Sequence, residues 1–461
     1  MNHKIKILSA AVLATLAYYG EGMAAPSAEQ VKSLGSALTP WGAEVAGNKA
    51  GSIPAYTGQG VKIPANFNPA KPGTRPDPFA DEKPLYSITA ANMDQYAGNL
   101  SDGVKEMLKK YPTFRLDVYP THRTVVYPKW VQDNSLKNAT ACKSTNGDLV
   151  LEGCYAGVPF PIPGNGAQAM WNHLVRYSTP ESRGAKFKSW VVDASGRPIL
   201  QGEQWGYLNS PFFDESITGP VPEGIDYSQL RVDITGPTRK AGEKRLILDS
   251  IKMGDGGTRI WQYLPAQRRV KQSPDLAYDT PQPQSGGAQT MDDAYAFSGA
   301  LDRFDFKLVG KKEVFIPYNT FKMQAGGSCS TEQLLTPNHM NPDCVRWELH
   351  RVWVVEGTPK SGVRHVYSKR VMYFDEDVPG AGISDSFDKA GQPYRVNMVF
   401  PYPMYENTGE AHSTDRFATF DLATGVYAES GNATESGGWL QMERKNSKFF
   451  TSGALTNSGI R

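Results

Sequence analysis

From Lys186 onward the chain is a succession of short runs in which apolar and polar side chains alternate. Glycine or proline closes each run, and this period of two commits the region to β structure. "KFKSWVVDASGRPILQGEQWGYL" reads as a hairpin turning near Ala194–Ser195–Gly196. "QLRVDIT", "KRLILDSIKM", "GTRIWQYL", "FKLVGKKEVFIPY", "RWELHRVWVVEG", "RHVYSKRVMYFDED", "PYRVNMVFPY" and "ATFDLATGVYAE" follow as strands. With 45 glycines and 33 prolines, turns are favoured over long helices, and 41 Tyr and Phe side chains (22 and 19) suit a pleated surface. Over 345–356 one face carries Val345, Trp347, Leu349, Arg351, Trp353 and Val355. The other carries Arg346, Glu348, His350, Val352, Val354 and Glu356, which predicts an antiparallel sheet with one buried side. Over 363–374 charge sits on both faces, His365 and Lys369 against Arg364 and Arg370. A transmembrane barrel needs an apolar lipid face and is disfavoured, as it is by an "NSGIR" terminus without a final aromatic.

The chain opens as a targeting segment. "MNHKIK" is a basic leader, "ILSAAVLATLAYY" an apolar run too short to span a bilayer comfortably, and "GMAA" offers small residues for cleavage, placed after Ala24. No cysteine lies near that cut, so lipoprotein attachment is not expected. Loss of Lys4, Lys6 and Glu21 moves the formal net charge from +2 to +1, which leaves no electrostatic footprint for nucleic acid. Export makes disulfides available, and the spacing of Cys142, Cys154, Cys329 and Cys344 predicts two local bridges, 142–154 and 329–344. The chain of 461 residues is long enough to bury a large core without a cofactor, and none is expected.

Three regions are expected: a signal peptide over 1–24, helices and a Pro-rich arm over 25–112, and a β body over 113–461. Ser27 and Gln30 form a capping box. Pro54, Pro64, Pro69, Pro72, Pro76, Pro78 and Pro84 make 48–86 an extended arm lying on the body. A helical region starts with Thr89 as N-cap, aligns Val104, Met107, Leu108 and Tyr111, and stops at Pro112. "HRTVVYPKWV" reads as the first strand. Asn165 caps a central helix with Ala167, Met170, Trp171 and Leu174 on one stripe. Residues 274–305 form a long irregular insertion, a length that is uncommon unless it is functional or covers something.

Catalytic signatures are absent: there is no GxSxG elbow, HExxH, P-loop or Rossmann fingerprint. His173 is the best general-base candidate, although a packed histidine is the commoner outcome. Asp375, Glu376 and Asp377 could attract calcium but fit a solvated strand end better, and Asp292–Asp293 suits the start of a helical turn. No metal site is expected. The combination of aromatics and arginines in "GTRIWQYLPAQRRVKQSP" says more, because an apolar surface with a few cations suits a ligand with a hydrocarbon part and a polar or anionic head. Trp261, Tyr263, Trp347 and Trp353 are the candidate walls, Trp171 the covering helix, and Arg268 and Arg269 the head-group contacts.

Four blocks carry a family resemblance: "YAGVPFPIPGNGAQAMWNH", "WQYLPAQRRVKQSPDLAYDTP", "FSGALDRFDFKLVGKKEVFIPYN" and "RWELHRVWVVEGTPKSGVRHVYSKRVMYFDED". Together they resemble the exported bacterial family of domain of unknown function 1329, itself similar to LolA, LolB and the outer-membrane lipoprotein-sorting proteins. The resemblance implies a mainly β (α+β) fold, an open and strongly curved antiparallel half-barrel with a helix or loop plug over its concave face. It implies a non-enzymatic periplasmic carrier for a lipid or other hydrophobic molecule, working with an RND-type exporter or an outer-membrane partner. The missing lipoprotein cysteine departs from LolB, and the disulfides and Pro-rich arm depart from LolA. A ligand-free structural or assembly protein of the envelope, and a hydrolase or isomerase acting on a hydrophobic substrate, are the alternatives.

Overall fold

The structure, a computed structural model, describes residues 26–254, 257–274, 276–405 and 410–457. The expected signal peptide lies outside them. Most of the body is one 16-stranded sheet, thirteen strands of which form two meanders; Tyr86–Ile88, Leu116–Val118 and Leu440–Met442 complete it. The first contains β1 (Ser182–Val192), β2 (Pro198–Asn209), β3 (Asp226–Gly236), β4 (Lys244–Ser250), β5 (Thr258–Leu264) and β6 (Arg269–Gln272). The second contains β7 (Phe304–Pro317), β8 (Trp347–Pro359), β9 (Lys369–Asp375), β10 (Gly382–Phe387), β11 (Pro393–Val399), β12 (Phe417–Asp421) and β13 (Tyr427–Asn432). Each strand pairs antiparallel with the next inside its meander. The two meanders join where β13 returns to β1, with Tyr427 opposite Val192 and Asn432 opposite Lys188. The sheet is not closed: β6 and β7 lie at its two edges.

That order decides the path of the insertion. β6 and β7 are consecutive in sequence but sit at opposite ends of the sheet, so residues 273–303 must cross one face of it. They do so as a strap of turns and short 3₁₀ segments, including Met291–Ala296 with a capping box between Thr290 and Asp293. The expectation that the insertion covers something is met.

Sequence-derived elements hold where the local chemistry is strong. Ser27 and Gln30 cap Ala28–Ser33 reciprocally, and Asn165 accepts from the Gln168 amide at the start of Gly166–Leu174. Asp193 accepts from the amides of Ser195 and Arg197 in the β1–β2 turn, where Gly196 takes φ 85°. Both disulfides form as expected, Cys142–Cys154 and Cys329–Cys344. Elsewhere tertiary context wins. The cap of Asp102–Lys110 is Ser101 rather than Thr89. The strand expected in "HRTVVYPKWV" is absent, and a helix, Lys129–Ala141, begins inside it. Its buried face is polar: Ser135 accepts from the Val158 amide, and Asn138 binds the backbone of Tyr155 and Val158. A hydrophobic period is therefore missing from its sequence.

Residues 34–85 are irregular, as their prolines dictate, yet they are tied to the body. Arg75 is fully buried and donates to the Trp439 carbonyl at 2.8 Å, while Trp41 joins the main core with Met107, Trp347 and Val396. β8 is buried on both faces, which corrects the one-sided reading of 345–356. Its polar face meets an ionic layer instead of water. His350 lies 3.1 Å from Glu348 and 3.0 Å from Asp375, and Arg123 grips Asp377 at 2.7 Å. Lys311 reaches Glu376 at 2.6 Å. Asp375, Glu376 and Asp377 are thus an interior ion network and not a solvated strand end.

Candidate ligand cavity

The strap does not lie flat on the sheet. A cavity of about 380 Å³ remains between them, within the range of small-molecule sites. Its walls come from β1 through β5 and from Phe417 of β12 and Ser430 of β13, so the sheet must wrap around it. Strand register orders the floor. Leu208, Leu230, Ile247 and Ile260 are neighbours across β2 to β5 and form an apolar band. Two residues along in one direction, Val232 pairs with Arg245; two along in the other, Asp249 sits between Ser228 and Thr258. At ~3.3 Å per residue, Arg245 and Asp249 are about 13 Å apart along β4. The strap supplies the roof through Leu276, Tyr278, Gln282, Tyr295 and Phe297.

Charges in the walls are individually handled. Arg183 is bonded to Asp415. Arg176 donates to Thr414 at 3.1 Å and to the His173 carbonyl at 2.9 Å, and lies over the Tyr295 ring. Burial lowers the pKa of the Arg245 guanidinium to about 10, so it is still a cation at neutral pH. Burial raises the Asp249 carboxyl to about 6 despite the hydrogen bond from Thr258, which places its proton exchange near neutrality.

Most of the aromatic and arginine candidates fall elsewhere. Trp261 and Tyr263 point to the opposite face of β5 from Ile260. They pack with Leu246 and Leu248 beneath Phe450 and Leu455 of the C-terminal segment. Arg268 and Arg269 are exposed at the β5–β6 turn, where Arg268 takes a left-handed φ of 50°. Trp347 is core, edge-on to Phe114, and Trp353 stacks under the Lys311 ammonium. Trp171 is fully buried; its indole donates to the Asp148 carbonyl and its ring meets Tyr227, a wall residue, so it backs the cavity without lining it. Replacing Trp261 by alanine is accordingly expected to cost about 1–3 kcal/mol of stability, since the side chain is only half-buried, and to leave ligand retention unchanged. Denaturant titration and a ligand assay on the same preparation check both halves.

His173 is fully buried against Phe374, with its two ring nitrogens 2.8 and 2.9 Å from the carbonyls of Pro379 and Phe297. Burial lowers its pKa to about 3, and it has no carboxylate partner there, so the packed reading of this residue fits. His350, Asp375 and Asp377 approach one another closely enough to share an ion. Arg123 already occupies both oxygens of Asp377, and Glu348 and Asp375 engage both nitrogens of His350. That chemistry is internal charge pairing.

A family profile described as protein of unknown function (DUF1329) matches residues 87–456. The chain belongs to the DUF1329 family. An uncharacterized protein of Pseudomonas aeruginosa is 36% identical over 463 residues, covering 99% of each chain. Among solved structures, a DUF1329 family protein from Desulfovibrio piger is similar at 14% identity and TM-score 0.39, over 60% of this chain and 92% of that one. A LolA superfamily protein from Nitrosomonas europaea is similar at 12% identity and TM-score 0.32, with the same shares covered. Among the described residues of this DUF1329 chain no helix is long and apolar enough to cross a membrane.

Proposed function

We propose that this DUF1329 protein is a binding or carrier protein for a hydrophobic molecule, held between the strap and the sheet. The observation that carries the reading is the cavity itself: an apolar band of four strands roofed by a dedicated crossing segment. Burial of ligand hydrocarbon supplies the driving force, at ~25 cal/mol per Å² before the costs of association. The leader-like N-terminus and the two disulfides support a periplasmic location. In that compartment the protein hands its ligand to, or takes it from, an envelope transporter of the RND type.

Native mass spectrometry with solvent extraction, on protein purified from its own host, tests the reading. A co-purifying lipid-like molecule at about one per chain is the expected result. A ligand-free mass that ignores added fatty acids, phospholipids and sphingoid bases would reject it in favour of a structural role.

A further inference from the structure

The cavity has a polar axis. Its apolar band, Leu208, Leu230, Ile247 and Ile260, ends on one side at Asp249 and on the other at Arg245. The Arg245 end also concentrates unmet hydrogen-bonding capacity. Gln204 lies one pleat beyond the Gly206–Val232 pair that leads to Arg245, and is only 2% exposed. Its Nε2 donates to Ser189 at 3.1 Å, but its Oε1 has no partner. From the strap, Gln282 contributes a second Oε1 without a partner. Gln289, joined to Gln282 by a backbone hydrogen bond of 2.9 Å, is fully buried with neither amide atom bonded. Lys240 fastens this part of the strap by donating to the carbonyls of Gln201 and Pro283.

Unbonded buried amides are costly to a fold, and native interiors contain few of them. Gln204 and Gln282 line the cavity beside a buried guanidinium, with Gln289 behind them, and form a place for a polar group from outside the chain. The sign of that group follows from the charges. A cation stands at this end, and a carboxylate about 13 Å away at the other would repel a second anion. Amides adapt readily, because a rotated Gln204 would offer its NH₂ to an anionic oxygen while its carbonyl accepts from the Ser189 hydroxyl.

We propose that the cavity takes a single-chain amphiphile with an anionic oxygen head, a carboxylate or a phosphate. The head lies at Arg245, Gln204 and Gln282, and the hydrocarbon lies over Leu230, Ile247 and Ile260. This rests on the reading of the cavity as a hydrophobic-ligand site. It assigns head-group recognition to an interior arginine rather than to the exposed pair Arg268 and Arg269.

Three probes with one tail separate the possibilities: hexadecanoate, hexadecyl phosphate and hexadecanol, titrated into delipidated full-length protein. In the unmodified protein at least one of the two acids should bind about 10-fold or more tighter than the alcohol, and which acid does so identifies the head. Arg245→Met should weaken that acid about 10- to 100-fold and change hexadecanol by less than about 3-fold. Gln204→Met, which removes no charge, should weaken the acid about 3- to 10-fold and serves if the arginine variant does not fold. Equal binding of alcohol and acids, or an equal loss on all three probes in the variants, would overturn the head-group assignment while leaving a hydrophobic site. Binding of none of the three would overturn the hydrophobic-ligand reading, and this inference with it.

Discussion

Replacing His350 by phenylalanine is expected to destabilise the protein by about 3–5 kcal/mol, the range for removing one partner from a buried charge cluster. A phenyl ring keeps the stacking on Tyr318, whose centroid is 3.9 Å away, so the loss is electrostatic. Glu348 and Asp375 would face each other in the interior without the imidazolium between them. The pH dependence gives an independent readout. Burial alone would lower the His350 pKa, but Asp375 and Glu348 outweigh it and raise it to about 9. A folded value above the unfolded ~6.5 means that the stabilisation is complete below pH ~6.5 and is lost as pH rises through 9. Burial would raise Glu348, but His350 and Arg346 bring it down to about 2, so its contribution holds above its ordinary 4.5 and is lost as pH falls toward 2. The gap between the two proteins in urea melts should therefore be widest near pH 5–6 and narrow toward pH 9. An unchanged midpoint at pH 6 would contradict the ionic layer.

The second large effect concerns binding. Ile247→Trp puts an indole into the centre of the apolar band, between Leu230 and Ile260. Because the added atoms enter existing space, the overpacking strain of a filled core is avoided, and stability should change by less than about 1 kcal/mol. Ligand affinity should fall at least about 100-fold, equivalent to about 2.8 kcal/mol or the loss of ~110 Å² of apolar burial. Retained ligand per chain by native mass spectrometry measures it. Full affinity in this variant would move the site off the sheet floor. Trp261→Ala is the matched control, since it alters the same sheet region on its opposite face.

The contrast between those two positions shows what was legible in the residues. Strand periodicity located the sheet, and the length of 274–305 marked the insertion as a cover. In "KRLILDS" the same alternation sets Leu246 and Leu248 against Arg245, Ile247 and Asp249. What it could not say is which set faces the cavity. The greasier face, with Trp261 and Tyr263, reads as a ligand wall, but C-terminal residues, Phe450 and Leu455 among them, pack over it and leave Trp261 and Tyr263 half-buried. The mixed face, with Arg245, Ile247 and Asp249, is the one that meets the cavity. The same ambiguity hid the ionic layer of β8: half-polar alternation reads as a solvated face, and only the carboxylates of 375–377 and Arg123, distant in sequence, reveal it as interior.

The join between the two meanders sets an order of events. β1 pairs with the adjacent β2, but its remaining partners, β13 at 427–432 and Leu440–Met442, lie more than 230 residues further along the chain. Hairpins of the first meander can therefore form early and locally, whereas their seam is a contact of very large sequence separation and closes late. Phe417 and Ser430 belong to the cavity wall, so the cavity is completed only with that seam. The cavity is thus a late product of folding: a chain ending before Phe417 could form the hairpins of the first meander but would lack part of the cavity wall.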